Sequence, residues 1–259
     1  MTHNEEEIVE YNDIMDKSFS IDLSSYPVNV VFDIILQDKT TKKNIIWATD
    51  AYQSHGSNCS DISIITRQAF NMINKVILQP RVEKALEQQQ ERTRKKAEVF
   101  TPVWLCNRMI NDAEKKWFGV EEVFNHVNTD NSWTVNTDKI IFSNEKTWKK
   151  YVDRRILEIT CGEAPYLVSR YDAATGTYIL PLNRRIGILD RKMRVVNENT
   201  QLKDDWIKWA ERAFQSCYGY EWQGDSLLIA RINLLLSFVD YYKERWGHNP
   251  DDCTLKKNC

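Results

Sequence analysis

Arg155-Ile-Leu-Glu-Ile-Thr-Cys-Gly-Glu-Ala-Pro165 is the stretch whose reading decides the fold. Ile156, Leu157 and Ile159 read as an apolar strand that ends at Thr160. Gly162 and Ala164 are small enough to let backbone approach a ligand closely, and Pro165 suits the first turn of a helix. A strand that enters such a turn and a helix that leaves it would present backbone N–H groups to a nucleotide-like cofactor.

The surrounding chain has the composition of an ordinary soluble protein. With 259 residues, 42% hydrophobic and 28% charged, it can bury a substantial core as one large domain or two small ones. Nine Trp are many for this length, and most read as core or interface anchors. A formal charge of −2 and a pI near 6.1 give no global field that favours nucleic acid, so any DNA contact must be local. Met1 to Asp16 is acidic and polar with no apolar signal core, and no apolar run reaches membrane-spanning length, so a cytoplasmic protein is expected. Cys59, Cys106, Cys161, Cys217, Cys253 and Cys259 are scattered without a C-x-x-C pair, which fits reduced thiols.

Upstream of the turn, Val28 to Leu36 and Asn44 to Thr49 are rich in Val, Ile and aromatics and flank the polar Gln37 to Lys43, which predicts a β-hairpin. From Ile62 to about Lys96 the pattern is helical and is interrupted by Pro80. Its charge run from Arg81 to Lys96 mixes Arg and Lys with Glu83, Glu87 and Glu91, as a solvated helix face does. Residues 1–95 therefore read as a small α+β module with a connecting helix, and 96–259 as a second domain. Within the latter, Thr101 is the expected N-cap and Pro102 the first residue of a helix running through Met109. Downstream, Tyr166 to Tyr171 begins a helix, Ala173 to Thr177 is a turn, and Arg185 to Asp190 is strand-like. Asp204 to Phe214 is an amphipathic helix, Ser216 to Tyr220 a buried strand, and Gly224 to Tyr242 an apolar helix. Such alternation argues an α/β class with parallel strands.

Glu158-Ile-Thr-Cys-Gly-Glu-Ala164 resembles the D-P-A-C-G-S-G turn of adenine-specific DNA methyltransferases, which use S-adenosylmethionine. Ala97-Glu-Val-Phe-Thr-Pro102 is similar to the F-T-P segment that precedes the first strand in that family. Tyr218-Gly-Tyr-Glu-Trp222 and Leu228-Ile-Ala-Arg-Ile-Asn-Leu234 resemble its G-x-E strand end and A-R-x-N-L helix, in the family's order. The likeness extends from Ala97 to about Tyr242 and points to bacterial restriction-modification methylase subunits. It implies a Rossmann-like α/β fold, with an incomplete sheet and the N-terminal α+β extension.

The resemblance implies S-adenosylmethionine as cofactor, held by Phe100, Thr101, Pro102, Glu158, Cys161, Gly162, Glu163, Ala164, Glu221 and Trp222. Glu158 would meet the cofactor's amino end, since a carboxylate accepts from an ammonium group. Ala164 departs from the family's second glycine. Two acids compete for the ribose hydroxyls: spacing after the glycine turn points to Asp190, the resemblance to Glu221. Glu221 is preferred because Trp222 beside it can lie against an adenine, although core packing explains that indole as well. Asp190, between Leu189 and Arg191-Lys192, then reads as a surface ion-pair partner.

The family's catalytic D/N-P-P-Y/F loop has no counterpart, because the sequence contains no Pro-Pro; the nearest string is Asn249-Pro250-Asp251. No catalytic residue is assigned. The expected function is the cofactor-binding portion of an adenine-specific DNA methyltransferase, a transferase acting on DNA once a second polypeptide supplies the catalytic and target-recognition half. The alternatives are a non-catalytic scaffold of a restriction or phage-defence complex and an inactive truncated product. For a truncated product an exposed sheet edge is expected, with poor solubility or dependence on a partner. His3, His55, His126 and His248 lie far apart, so no zinc site is expected. Asp33 with Gln37-Asp-Lys39 weakly resembles a nuclease arrangement, but a charged hairpin turn explains it better. No Ser-His-Asp or P-loop pattern is present.

Overall fold

The computed structural model describes residues 21–72, 78, 80–84, 89, 90, 93, 94 and 99–258. The acidic stretch 1–16 and most of the charged run from 85 to 96 lie outside the described residues, as do Ile73, Val76 and Ile77 of the expected helix.

The chain is mixed α/β, mostly helical, with two small two-stranded sheets. Helix α1 is Val28–Leu36 and α2 is Arg67–Met72. A hairpin was the expectation over 28–49, and the first half of it is instead helical. Val28, Val31, Phe32, Ile35 and Leu36 are the buried residues, spaced i, i+3, i+4, i+7, i+8, so a helix puts all of them on one face against the core. Their β-branched character yields to that packing. A tight reversal remains: the Asp38 N–H donates to the Lys43 carbonyl at 2.8 Å, and Gln37 bridges Asn44. Asp33 sits on α1 and pairs with Arg67 at 3.2 Å, while the Asp38 carboxylate accepts from the Thr40 and Thr41 N–H groups. The two acids serve a helix surface and a turn.

Helix α3, Val103–Phe118, starts after Pro102 as N-cap rather than after Thr101, and buries Val103, Cys106, Ile110 and Glu114. Gly119 ends it in the left-handed region at φ 79°, its N–H donating to the Lys115 carbonyl. Strands β1 (Asn125–Val127) and β2 (Trp133–Val135) pair antiparallel. Helix α4, Trp148–Asp153, leads into β3, Ile156–Ile159. After helices α5 (Ile188–Asn199) and α6 (Lys203–Gln215), strand β4 (Cys217–Tyr220) pairs parallel to β3 with Ile156 opposite Cys217 and Ile159 opposite Tyr220. Helix α7, Gly224–Trp246, is buried on most of its circumference and forms the centre of the core; α8, Asp252–Asn258, follows.

Among the described residues no further strand joins β3 and β4, so a full Rossmann sheet is not evident. Leu157, Ile159, Tyr218 and Tyr220 share one face and are 50%, 70%, 46% and 67% exposed, so β4 is not the buried strand expected from its composition. Two further expectations are corrected. Residues 166–171 form no helix: a turn over 165–167 leads through irregular chain to a bridge between Tyr171 and Tyr178, and Pro165 opens no helix. Arg185 to Asp190 is not a strand: a 3-10 turn, Leu182–Arg184, is followed by α5, whose first turn contains Asp190.

Asp190 is the acid of that first turn, with Oδ2 accepting from the Gly187 N–H at 3.1 Å and from the Ser169 N–H at 2.8 Å, and Oδ1 from the Tyr241 hydroxyl at 2.9 Å. It is buried together with Arg191 and Lys192, which overturns the surface ion-pair reading. The Lys192 ammonium donates to the Arg154 carbonyl and the Ser216 hydroxyl, both at 2.6 Å, and so holds the entry to β3 and β4 together.

Candidate functional site

Parallel pairing brings the carboxyl ends of β3 and β4 side by side, the position at which open α/β sheets bind ligands. The pairing continues past the strands, with the Cys161 N–H donating to the Tyr220 carbonyl at 2.8 Å. The chain then turns sharply: Thr160, Gly162 and Ala164 lie at φ 54°, 53° and 67°. Left-handed backbone at two non-glycine residues costs roughly 1–2 kcal/mol each, so the surroundings must hold the turn in place.

Glu221, directly after β4, does so from one side. Its Oε2 accepts from the Gly162 N–H at 2.8 Å and its Oε1 from the Gln223 N–H at 2.9 Å. Gly219 explains the glycine of the Tyr218-Gly-Tyr-Glu string, because a Cβ there would meet the Cys161 sulfur at 2.9 Å. Strand β4 can approach the turn only without a side chain at 219.

Glu163 holds the turn from the other side. It is buried, with Oε1 accepting from the Arg81 N–H at 2.7 Å and Oε2 from the Tyr171 hydroxyl at 2.5 Å. The Asn233 side-chain amide donates to the Glu163 carbonyl and the Tyr171 hydroxyl, both at 3.1 Å. Asn233 and Tyr171 carry no assigned role in the sequence reading. The signal for Asn233 was its place in Ala230-Arg-Ile-Asn-Leu234; nothing local marks Tyr171. Arg231 of the same string donates to the Ile35 and Gln37 carbonyls and closes the end of α1.

Glu158 reaches the turn from β3, with Oε1 accepting from the Tyr166 N–H at 3.4 Å. Its Oε2 is buried and has no hydrogen-bond partner. Burial, with the Glu221 carboxylate adding to it, pushes the Glu158 carboxyl up to about 8, against the pull of the Tyr166 and Leu167 N–H groups. Cys161 is buried beside both acids, and burial pushes its thiol up to about 12. It is therefore a packing residue and not a thiolate nucleophile.

Phe100 is buried with its ring against Gly162, 3.4 Å from where a Cβ would lie, and the Arg81 guanidinium sits 5.1 Å from its centroid. Thr101 and Pro102 lead from it into α3, and the Val103 N–H is met by the Asp172 carboxylate at 3.4 Å rather than by Thr101. Ala164 is buried, so its methyl group faces the core. Trp222 is 83% exposed, which removes core packing as its role. The structure thus gathers Phe100, Glu158, Cys161, Gly162 and Glu221 around one turn, with Trp222 at its solvent side and Glu163 and Ala164 directed inward.

No family model, curated protein or solved structure matches the chain. Among the described residues no group of three or more His, Cys, Asp or Glu is arranged to hold a metal ion, and no helix is long and apolar enough to cross a membrane.

Proposed function

We propose that this chain is the S-adenosylmethionine-binding portion of an adenine-specific DNA methyltransferase of a restriction-modification system, on a Rossmann-like fold begun by β3 and β4. A second polypeptide is proposed to supply the catalytic loop and target recognition on DNA. The observation that carries the reading is the meeting of the Glu221 carboxylate with the Gly162 N–H at the ends of two adjacent parallel strands. Motifs 59 residues apart thereby form one site.

The residues present fit such a cofactor. The unpartnered Oε2 of Glu158 is a ready acceptor for an ammonium group, which would also draw its carboxyl back toward the ionised form. Each Glu221 oxygen accepts one backbone N–H and has a lone pair left for a ribose hydroxyl. Trp222 offers an open indole face to a base. When bound, S-adenosylmethionine supplies an electrophilic sulfonium methyl group. This chain's residues bind and orient; polarisation of the target amine falls to the partner, since no residue here is assigned to it.

A scaffold reading is favoured by a separate observation. The Gly162 N–H is already taken by Glu221, and the Phe100 ring covers the glycine. Both readings are separated by a thermal-shift titration with S-adenosylmethionine on the wild type and on Glu221→Ala. Ligand at about 100 times its dissociation constant stabilises by roughly 2.7 kcal/mol, a rise of roughly 5–10 °C in Tm. A rise that the variant loses supports the cofactor site; no rise in a folded wild type leaves the scaffold.

A further inference from the structure

Strand β4 has two edges and uses one. The Ile156 N–H donates to the Ser216 carbonyl and the Cys161 N–H to the Tyr220 carbonyl, with Ile156 opposite Cys217. Alternate residues of a parallel strand turn both backbone groups to the same neighbour, so those of Tyr218 and Tyr220 face β3, while the N–H and C=O of Cys217 and Gly219 point off the other edge. Among the described residues no strand pairs with that edge. Gly219 is exposed, and Cys217-Tyr-Gly-Tyr220 carries neither the charge nor the proline with which solvent-facing edges are commonly blunted.

The open edge lines a groove of about 730 Å³, whose remaining lining comes from α1, the turn after it, α6, α7 and α8. Ile34, Phe214 and Leu234 are half-buried there, and Leu235, Phe238 and Leu255 are buried. Unpaired main-chain groups beside apolar side chains suit an extended peptide, whose backbone pairs with the edge while alternate side chains pack. A docked helix would leave the edge unpaired, because its own N–H and C=O groups are spent internally. The charged residues of the lining are Lys39, Arg231 and Lys257 against Glu211. This balance favours an occupant with acidic residues, and it opposes a second copy docked edge to edge, which would bring the same three cations to these three.

We propose that the free edge of β4 is the docking site of a second polypeptide, which adds one extended apolar strand carrying acidic residues and so enlarges the β3–β4 sheet. The groove contains none of the residues assigned to the candidate cofactor site, so either assignment stands if the other falls.

The test is isothermal titration of the full chain with an octapeptide of alternating valine and glutamate, with amide hydrogen exchange followed in parallel. Saturable binding that slows exchange of the Cys217 and Gly219 N–H groups about tenfold or more is expected, and the Tyr218 and Tyr220 N–H groups, already held by β3, serve as the internal control. The same peptide N-methylated at every residue should not bind, since it has lost its main-chain donors. Lys39→Glu combined with Lys257→Glu, both at exposed positions that leave the core intact, should weaken binding about tenfold at low salt. Absence of saturable binding, equal binding of the N-methylated peptide, or unchanged affinity in the charge-reversed variant would overturn the assignment. Cys217 and Gly219 N–H groups already protected in the free chain would overturn it too: protection at every concentration assigns the groove to the chain itself, and protection that appears with dimer formation assigns it to a second copy.

Discussion

Glu158→Gln should make the protein more stable at alkaline pH and leave it nearly unchanged in acid. The Glu158 carboxyl titrates near 8 in the folded chain because it is buried beside Glu221, against an ordinary value of 4.5. Below pH 4.5 it is neutral in both folded and unfolded chains and contributes no pH dependence. Between 4.5 and about 8 the unfolded chain ionises it and the folded chain does not, so unfolding releases a proton and stability falls as pH rises. At about 1.36 kcal/mol per unit the loss has a ceiling of roughly 5 kcal/mol. Partial exposure of the residue screens the effect and reduces this to an expected loss of about 2–3 kcal/mol. Glutamine keeps the shape and removes the ionisation. Urea unfolding of both proteins from pH 4.5 to 8.5 would measure it, as the stability of the variant minus that of the wild type. The difference should grow toward the variant by about 2–3 kcal/mol across the range. Asp190 and Glu244, whose carboxyls burial also raises, are common to both proteins and cancel. A difference that stays flat with pH would refute the placement of Glu158 in a dry site. With S-adenosylmethionine present the wild-type slope should flatten, since an ammonium partner favours the ionised carboxylate.

Trp222→Ala should leave stability within about 0.5 kcal/mol, because the ring is exposed, yet weaken S-adenosylmethionine binding about tenfold; unchanged affinity in a titration would remove the indole from the site. Asp225→Ala should cost about 3–5 kcal/mol in urea unfolding, since it strands the buried Lys84 ammonium 3.2 Å away, and Lys84→Met in the same chain should restore part of the loss. Gly224→Ala should cost about 3 kcal/mol or more, because a Cβ would fall 1.9 Å from the Ile46 carbonyl oxygen; a wild-type Tm in the variant would show that residues 45–47 do not pack on α7 as described.

Signals that act within a few residues were legible. The Ile156 to Ile159 run forms a strand, and the apolar stretch from 224 forms the central helix. The gathering of Phe100, Gly162 and Glu221 followed the order of the quoted motifs. What failed were readings that depended on which face met the core, together with the helix expected at 166–171 and the strand expected at 185–190. Val28 to Leu36 carried both a β-branched composition and a helical spacing, and packing against α7 and α8 decides between them. Asp190-Arg-Lys192 looks solvated by composition and is buried because each charge finds a partner far along the chain, at Ser169 and Tyr241, at Asn107 and Asn111, and at Arg154 and Ser216.

The sequence by itself determined the β3 strand, the sharp turn after it and the α7 helix, because apolar periods and glycine turns act over one or two turns of chain. Tertiary structure alone decided that Glu221 meets the Gly162 N–H and that Asp190 is buried against Ser169 and Tyr241. Those contacts join residues brought together by parallel strand pairing and helix packing, and no pattern over neighbouring residues encodes which distant partner a buried group will find.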